Sequence, residues 1–422
     1  MADLRKIVVE ALLRVEQDGS YSNLTLNSLF KKEALTVEDK RFITALFYGV
    51  LDRKITLDFY INKLSKIKVK KLDAVTRQAL RIGIYQLYFM EKVPDNAAVN
   101  ESVELVKSSV ENKNTSFVNA VLRSAVKREI SLPKTKDLYS LSVNYSCPVF
   151  ILEELIKDYG IEKTEEIIKA YLLSSDVNIR VNTLKTTPEK LSEAFSNLNI
   201  KHKASEDKNS FTLVGGIDFN NNLLFKDGMF YVQDTSSVNC ALAIGAKENE
   251  RILDVCAAPG SKSFTMALSM KNKGEIISCD LYDNRVSLIK ASAHKLGINC
   301  IKTLVNDATV YNEKIGEFDA VLCDVPCSGY GVIRRKPEIK YKNENNFEEL
   351  QAIQYKILET SSRYLKEKGR LLYSTCTLRK AENEQIIKKF LACHKDFYCD
   401  YMHTDFPCDN NDGFFRALLI KK

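Results

Sequence analysis

Residues 251–264, RILDVCAAPGSKSF, decide the fold of the C-terminal half of the chain. A short apolar run ends on Asp254, and small residues with Gly260 then let the backbone turn tightly before a helix begins. Further short apolar runs follow, namely EIISCD, IKTLVN, DAVLCD and GRLLYST, with helical segments between them. Alternating strands and helices predict a parallel, doubly wound, Rossmann-like α/β sheet, whose ligands bind at the carboxyl ends of the strands.

The remainder of the chain divides into two regions of different pattern. Residues 1–132 carry apolar side chains at three- and four-residue spacing, as in FITALFYGVLDRKITLDFYINKL, and predict an all-α domain. Residues 140–235 mix helical segments with strand-like ones such as NIRVN, and predict a small α/β module. Residues 236–422 then form the sheet domain.

Composition limits the class of protein. The 422 residues carry a net charge of +7, which suits a polyanionic partner but fits a solvated surface equally well. The 11 cysteines are odd in number and irregularly spaced, so we expect free thiols in a reducing compartment. The N-terminus lacks the apolar core of a signal peptide, and the sequence contains no apolar run that could span a bilayer. These features predict a soluble, cytoplasmic protein without a membrane partner.

Acids at the strand ends indicate a nucleoside-like ligand. Asp280 ends the second strand, Asp307 follows the third, and an acid in this position can bind ribose hydroxyls. The 256–262 loop matches neither the P-loop nor the G-x-G-x-x-G pattern, so a phosphate cradle is not supported. A ligand with ribose and adenine but no phosphate fits, and S-adenosylmethionine is one. The alternative is that each acid only caps the turn after it.

Two cysteines follow neighbouring strands of the same predicted sheet. Asp324 ends the fourth strand with Cys327 just beyond it, and Cys376 follows the fifth strand. One such cysteine would most simply be a packing residue, but two at the ligand edge, one beside an acid, indicate chemistry. A thiolate that adds to carbon 6 of cytosine makes carbon 5 nucleophilic toward an activated methyl group. Asp-Val-Pro-Cys also differs from the [NDS]-P-P-[YFW] motif of exocyclic-amine methyltransferases.

Several motifs together resemble the RNA 5-methylcytosine methyltransferase family over residues 140–422. They are DVCAAPGSKS, CDLYDNR, NDA, DVPCSGYGVIRRKPEIKY, STCT with AENE, and DGFFRALL. The N-terminal domain resembles NusB, an RNA-binding antitermination factor, in FITALFYGVLDRKITLD and FVNAVLR. The pairing of both parts resembles members of the family that act on 16S rRNA. The resemblance therefore implies 16S rRNA as substrate and partner, with no obligate protein partner.

The resemblance also implies a role for each matching residue. Cys376 would attack carbon 6, Cys327 would help release the methylated product, and Asp324 would lie near the cytosine ring. The residues implied to hold S-adenosylmethionine are Cys256, Ala257, Ala258, Pro259, Gly260, Ser261, Lys262, Asp280, Arg285, Asp307 and Asp324. The chain departs from the family at KAENE, residues 380–384, where Pro-Glu-Glu-Asn-Glu is usual, and at Tyr330, where Thr is commoner. We expect activity because both cysteines and Asp324 remain.

Basic residues are candidates for RNA contact. Arg334, Arg335 and Lys336 adjoin the loop of Cys327 and are predicted to contact phosphate, and Arg180 of the small module to orient RNA. The run KIKVKK at 66–71 could line an RNA path or be a solvated face.

Three competing interpretations remain at this point. Cys393, His394, Cys399, His403 and Cys408 suggest zinc, but their spacing matches no paired C-x2-C arrangement, so no metal site is expected. A catalytically inactive RNA-binding scaffold is disfavoured by the intact cysteines. A cytosine-5 methyltransferase of tRNA or 23S rRNA remains the alternative among enzymes.

Overall fold

A computed structural model describes residues 4–31, 33, 35–108, 114–173, 176–215, 217–219, 221–341, 346–409 and 411–422. The chain divides into two compact units, Met1–Leu172 with Ile333–Asn343, and Leu173–Val332 with Glu344–Lys422. The predicted α/β fold class, with a helical N-terminal region and a large sheet, is confirmed. The three-domain boundaries stay a prediction. Within the described ranges, no helix has the length and apolar character needed to cross a membrane.

The first unit is helical, as its sequence pattern predicts. Its helices are α1 (Leu4–Asp18), α2 (Ser22–Phe30), α3 (Val37–Asp52), α4 (Lys54–Leu64), α5 (Ala74–Phe89), α6 (Asp95–Lys107), α7 (Thr115–Val126), α8 (Leu138–Tyr145) and α9 (Val149–Ala170). A 3-10 turn spans Val69–Lys71. Thr36 and Asp39 form a capping box that starts α3. The apolar faces of these helices share one core, which includes Leu12, Phe47 and Leu122.

The first unit extends past residue 132 because α8 is bound to α4. The Thr56 hydroxyl donates to the carbonyl of Val143 at 2.6 Å, and the Ile55 N–H donates to the Ser146 hydroxyl at 2.9 Å. Gly160 has a φ of 78° and breaks α9 into two helical stretches.

Part of the first unit comes from a distant stretch of the chain. Within Ile333–Asn343, residues Pro337–Tyr341 form a 3-10 helix. Lys340 is only 1% exposed, and its Nζ donates to the carbonyl of Asp52 at 2.7 Å. The Tyr341 hydroxyl donates to the carbonyl of Leu51 at 2.8 Å, and Glu338 accepts the N–H of Ser22. This segment is therefore a fixed part of the helical unit.

The second unit begins with a four-stranded antiparallel sheet. Its strands are β1 (Val177–Val181), β2 (His202–Ala204), β3 (Ser210–Leu213) and β4 (Phe230–Val232), in the order β2-β3-β1-β4, and they are accompanied by α10 (Pro188–Asn197) and α11 (Leu223–Lys226). Ile179, Phe195, Phe211 and Phe230 form its core. The predicted strand NIRVN is β1, because its alternating apolar residues face that core.

A seven-stranded sheet forms the rest of the second unit, in the order β10-β11-β9-β8-β5-β6-β7. The strands are β5 (Arg251–Asp254), β6 (Glu275–Asp280), β7 (Ile301–Val305), β8 (Phe318–Asp324), β9 (Leu365–Thr375), β10 (Phe397–Asp405) and β11 (Phe414–Lys421). The helices are α12 (Thr235–Ala243), α13 (Ser261–Ser269), α14 (Asp283–Leu296), α15 (Phe347–Ser362) and α16 (Glu384–Cys393), with 3-10 turns at Glu313–Ile315 and Tyr330–Val332.

The five predicted strands of this sheet are parallel, as expected. Asp254, Asp280 and Asp324 are the last residues of β5, β6 and β8, so their carboxyl groups share one edge. The sequence did not predict that β11 runs antiparallel between β9 and β10.

Candidate active site

Two thiols lie together at the carboxyl edge of the large sheet. The strands β8 and β9 are parallel neighbours, with Asp324 facing Ser374 in register. Cys327 lies just beyond β8, and Cys376 directly follows β9. The two Sγ atoms are 3.2 Å apart, and both cysteines are half-buried thiols that are not joined by a disulfide. The structure thus brings together the two cysteines that the sequence predicts to share this edge.

The loops that carry the thiols are fastened to one another. The hydroxyls of Ser328 and Thr377 are 2.7 Å apart, and the Gly331 N–H donates to the carbonyl of Cys376 at 2.9 Å. Gly331 in turn accepts the N–H of Gly413 at 2.8 Å. A Cβ on Gly331 would lie 2.0 Å from the Gly413 carbonyl oxygen, so only glycine permits this approach. The contact between the thiols is therefore set by backbone hydrogen bonds.

Asp324 is held beside the thiols by a cation and a hydroxyl. The Nζ of Lys262 lies 2.6 Å from its Oδ2, and the Ser374 hydroxyl donates to its Oδ1 at 2.9 Å. Burial alone would lower the pKa of Lys262, but the adjacent carboxylate of Asp324 raises it overall. Lys262 therefore remains a cation. A half-buried, paired carboxylate of this kind is a fixed electrostatic group that can face a substrate.

The surroundings of Cys327 favour the protonated form of its thiol. Contact with the Cys376 thiol, then burial, then the negative charges of Glu382 and Asp324 raise the pKa of Cys327 well above its usual range. Cys327 therefore keeps its proton near neutral pH. In the thiol contact, it is suited to donate a hydrogen bond to the sulfur of Cys376.

The N-terminus of α13 provides a second part of the site. Gly260, with a φ of 109°, is its N-cap and supplies no side-chain hydrogen bond, so the first N–H groups of the helix lack intrahelical partners. Asp280 is buried and accepts the Ala258 N–H at 3.3 Å, and it pairs with Arg285 at 3.3 Å. Arg285 also donates to the Ala258 carbonyl at 3.1 Å. Asp280 and Arg285 thus shape the 256–260 loop.

Asp307 has the capping role that the sequence left open as an alternative. Its Oδ1 accepts the N–H of Thr309 at 2.9 Å and the Thr309 hydroxyl at 2.7 Å. Asp307 is exposed, two residues beyond β7. Both contacts use the Oδ1 atom of Asp307, so Oδ2 can accept a hydrogen bond from a ligand while Asp307 caps the turn.

Asp254 is a further candidate site residue that the sequence patterns do not single out. It is fully buried, its Oδ2 accepts the Ser263 hydroxyl at 2.6 Å, and no hydrogen bond to its Oδ1 is present within the described residues. Ser278 donates to the Ser263 hydroxyl at 2.8 Å. Burial raises the pKa of Asp254 to about 7, against the effect of the Ser263 hydrogen bond. The available signal was an acid at the end of an apolar strand.

These residues fit S-adenosylmethionine. The edge offers helix N–H groups at α13 and carboxyl groups on successive strands, together with an orphaned buried oxygen on Asp254. Carboxylates accept hydrogen bonds from ribose hydroxyls and suit a cationic ligand, but they would repel a phosphate. The donor set therefore matches a charged nucleoside without phosphate.

The four basic residues that are predicted to contact RNA differ in their exposure to solvent. Arg180 is 4% exposed and pairs with Asp207 at 2.6 Å, so its charge is already used within the small sheet. Arg334 is 6% exposed and belongs to the segment of the helical unit, as do Arg335 and Lys336. Only Lys336 of these four is exposed. Arg180 and Arg334 are thus buried and present little side-chain surface in this structure, and the predicted contacts of Arg334 with phosphate and of Arg180 with RNA stay predictions.

The cysteine and histidine residues near the C-terminus lie in separate surroundings. His394 stacks on Phe390 at 4.1 Å, His403 pairs with Asp405, and the Cys408 thiol donates to Asn411. Among the residues that the structure describes, no group of three potential ligands is arranged to hold a metal ion.

Comparisons with known proteins match the whole length of the chain. The family model for the 16S rRNA methyltransferase RsmB/F matches residues 241–420, the NusB family matches 2–127, and the ferredoxin-like domain of RsmF/B-like methyltransferases matches 147–219. The chain is 37% identical to a probable ribosomal RNA small subunit methyltransferase B of Bacillus subtilis, over 94% of this chain and 90% of that one. A protein with the same description from Synechocystis is 30% identical, over 99% of this chain and 96% of that one. The crystal structure of PH0851 superimposes with a TM-score of 0.84 at 27% identity, over 99% of this chain and 98% of that one.

Proposed function

Because the chain belongs to the 16S rRNA methyltransferase RsmB/F family, we propose that it methylates carbon 5 of a cytosine in 16S rRNA through a covalent adduct with Cys376. Membership makes it an S-adenosylmethionine-dependent rRNA methyltransferase. The proposal adds the atom that is methylated and the residues that act on it. The observation that carries it is the 3.2 Å contact of Cys327 and Cys376 beside the Asp324–Lys262 pair.

Carbon 5 of cytosine is a weak nucleophile until a group adds to carbon 6. The Cys376 sulfur would supply that group, since a thiolate is strongly nucleophilic near neutral pH. Cys327 would hold Cys376 in this form by donating its S–H. Addition of the thiolate puts negative charge on the ring, which a proton taken up from water at ring nitrogen 3 would neutralise. Asp324, fixed by Lys262 and Ser374, would face nitrogen 3 and accept a hydrogen bond from this N–H, whose proton returns to water after carbon 5 has taken up the methyl group.

S-adenosylmethionine supplies the electrophilic methyl group that the activated carbon 5 takes up. The residues proposed to hold it are Cys256, Ala257, Ala258, Pro259, Gly260, Ser261, Lys262, Asp280, Arg285, Asp307 and Asp324. Lys262 would act through Asp324, because its ammonium group is paired with that carboxylate. Asp280 and Arg285 would keep the loop in shape for binding.

Release of the product breaks the bond between carbon 6 and the Cys376 sulfur. Water accepts the proton of carbon 5, the electron pair of that C–H bond forms the C5–C6 double bond, and the C6–S pair returns to sulfur. The S–H of Cys327, at 3.2 Å, would stabilise the departing thiolate. This gives Cys327 a role in release that is separate from the attack by Cys376.

The experiment is methyl transfer from labelled S-adenosylmethionine to unmodified 16S rRNA, with identification of the product nucleoside. We expect 5-methylcytidine from the wild type. The Cys327→Ala variant should accumulate a denaturation-resistant protein–RNA adduct, and Cys376→Ala should form neither adduct nor product. The matched control is Cys393→Ala, which removes an exposed thiol at the end of α16 and should behave as wild type.

Two outcomes would contradict the proposal. One is normal turnover by the Cys327→Ala variant, which would remove its role in release. The other is methylation of an exocyclic amine or of a ribose, which would exclude the cysteine mechanism. Methylation of tRNA or 23S rRNA in preference to 16S rRNA would instead leave the chemistry unchanged and assign a different RNA as the substrate.

A further inference from the structure

A buried acid lies behind both thiol loops. Glu382 is 0% exposed, in the turn between β9 and α16. A carboxylate removed from water must be paired and hydrogen-bonded, since an uncompensated buried charge is strongly destabilising. Its partners therefore show what it holds in place. They lie on three different segments of the second unit.

One carboxylate oxygen of Glu382 holds the loop of Cys327. Its Oε2 accepts the N–H of Ser328 at 2.9 Å and the side-chain amide of Gln354 at 2.8 Å. The same amide of Gln354 donates to the Pro326 carbonyl at 2.9 Å. The residues on both sides of Cys327 are thus fastened to one carboxylate, Ser328 directly and Pro326 through Gln354.

The other oxygen holds the loop of Cys376. Glu382 Oε1 pairs with Arg379 at 3.0 Å, and Arg379 is itself buried in the stretch that follows Cys376. The backbone carbonyl of Glu382 accepts the hydroxyl of Tyr373, near the end of β9, at 2.7 Å. A single residue therefore connects the two segments whose thiols touch.

We propose that Glu382 is a positioning residue for product release, whose carboxylate holds the Cys327 thiol against the sulfur of Cys376. The inference rests on the proposed function, since it assumes that Cys327 assists the departure of Cys376. Glu382 acts through Ser328, Gln354 and Arg379, the partners of its carboxylate. Its negative charge also favours the protonated form of Cys327, because it contributes to the raised pKa of that thiol. Both effects serve the donation of the Cys327 S–H to the departing sulfur.

The Glu382→Gln variant tests this role. Glutamine offers one acceptor in place of two, and its NH2 group would face either the Ser328 N–H or the Arg379 guanidinium. The loop of Cys327 should loosen while the path of Cys376 to carbon 6 stays open. We expect the first methyl transfer to survive, steady-state turnover to fall at least tenfold, and the covalent adduct to accumulate.

The matched control is Glu250→Gln. Glu250 Oε2 also accepts a backbone N–H, from Lys247 at 2.9 Å, and pairs with an arginine, Arg370, at 2.7 Å. It precedes β5, at the amino ends of the parallel strands, and so lies at the edge opposite the thiols. The same chemical change there should leave turnover within about twofold of wild type and trap no adduct.

Two readouts separate the role of Glu382 from a general loss of structure. The ratio of adduct to turnover should rise in Glu382→Gln, whereas partial unfolding would lower adduct and turnover together. The pH at which Cys327 becomes reactive toward iodoacetamide should also fall in this variant. Should Glu382→Gln not fold, Gln354→Leu removes the hydrogen bonds of the Gln354 amide to Pro326 and to Glu382 but leaves the bond from Ser328 to Glu382, and it is expected to trap adduct to a smaller extent.

The outcomes distinguish the inference from the proposed function. If Cys327→Ala traps adduct and Glu382→Gln loses adduct and turnover in equal proportion, the positioning role is wrong and the cysteine mechanism stands. If Cys327→Ala itself traps no adduct, the assumed role of that thiol is wrong, and the inference is overturned with it. Adduct accumulation in both variants supports the inference.

Discussion

Replacing Asp254 by Asn should stabilise the protein at alkaline pH. Asp254 is fully buried at the end of β5, and burial raises its pKa to about 7 from an ordinary value of 3.8. Asparagine has a similar shape and keeps an oxygen for the Ser263 hydroxyl. The D254N variant therefore removes the cost of ionising a buried group while preserving the hydrogen bond.

The magnitude follows from the two pKa values. Between pH 3.8 and about 7, the folded protein keeps a proton on Asp254 that the unfolded chain has lost. The stability of the wild type therefore falls as pH rises through this range. At about 1.36 kcal/mol for each pH unit, the loss is about 1 kcal/mol at pH 4.5 and about 4 kcal/mol at pH 8. D254N has no such loss and should gain about 3 kcal/mol on wild type between these pH values.

Hydrogen exchange of peptides from β5 and β6, corrected for the intrinsic pH dependence of exchange, measures this local stability without assuming that the two units unfold together. Asp319→Asn is the control without a pH-dependent difference in this range. Although burial opposes it, the ion pair with Lys366 lowers the pKa of Asp319 below its ordinary value of 3.8, so the stability that this carboxylate contributes is lost only as pH falls below about 4. D319N should therefore differ from wild type by a nearly constant amount between pH 4.5 and 8. A wild-type-to-D254N difference that stays constant from pH 4.5 to 8 would refute the reasoning.

Two glycine substitutions give further predictions. Gly331→Ala places a Cβ 2.0 Å from the carbonyl oxygen of Gly413. It should therefore separate the two thiol loops and lower turnover at least tenfold, and thermal unfolding reports whether the fold survives. Turnover near that of wild type would show that the loops can move apart without loss of activity. Gly49→Ala places a Cβ 1.9 Å from the ring of Tyr85 in the helical unit and should destabilise it by about 1–3 kcal/mol. Tyr85→Phe should not rescue Gly49→Ala in urea unfolding, because ring carbons remain in the way, whereas Tyr85→Leu should.

Much of the site's location could be predicted from the sequence. Strand runs that end on Asp280 and Asp324 place those acids at one edge, because parallel strands present their carboxyl ends together. The same argument placed Cys327 and Cys376 on neighbouring loops. The strand pattern could not predict the 3.2 Å contact between the thiols, because hydrogen bonds between the loops, such as the one from Gly331 to Cys376, determine that distance.

Other features depend on partners that lie far apart in the chain. Arg334 is predicted to contact phosphate because it adjoins the loop of Cys327 in the sequence, yet its side chain is buried. Lys340 contacts Asp52, 288 residues away, and no local pattern reports such a contact. The antiparallel strand β11 was missed for a related reason, because its apolar pattern does not state which strands it pairs with.

The Ile333–Asn343 segment has a consequence for how such a chain can be inherited. The helical unit is encoded in two pieces, with the Leu173–Val332 stretch of the other unit between them. A genetic exchange at residue 172 would transfer α1–α9 but leave behind Lys340 and Tyr341, which donate to Asp52 and Leu51. In the hybrid protein, the buried ammonium group at position 340 would pack against helices from another protein. Without an acceptor there, it would destabilise the fold by several kcal/mol. The two pieces should therefore change together over evolutionary time, and the helices are not a freely exchangeable module.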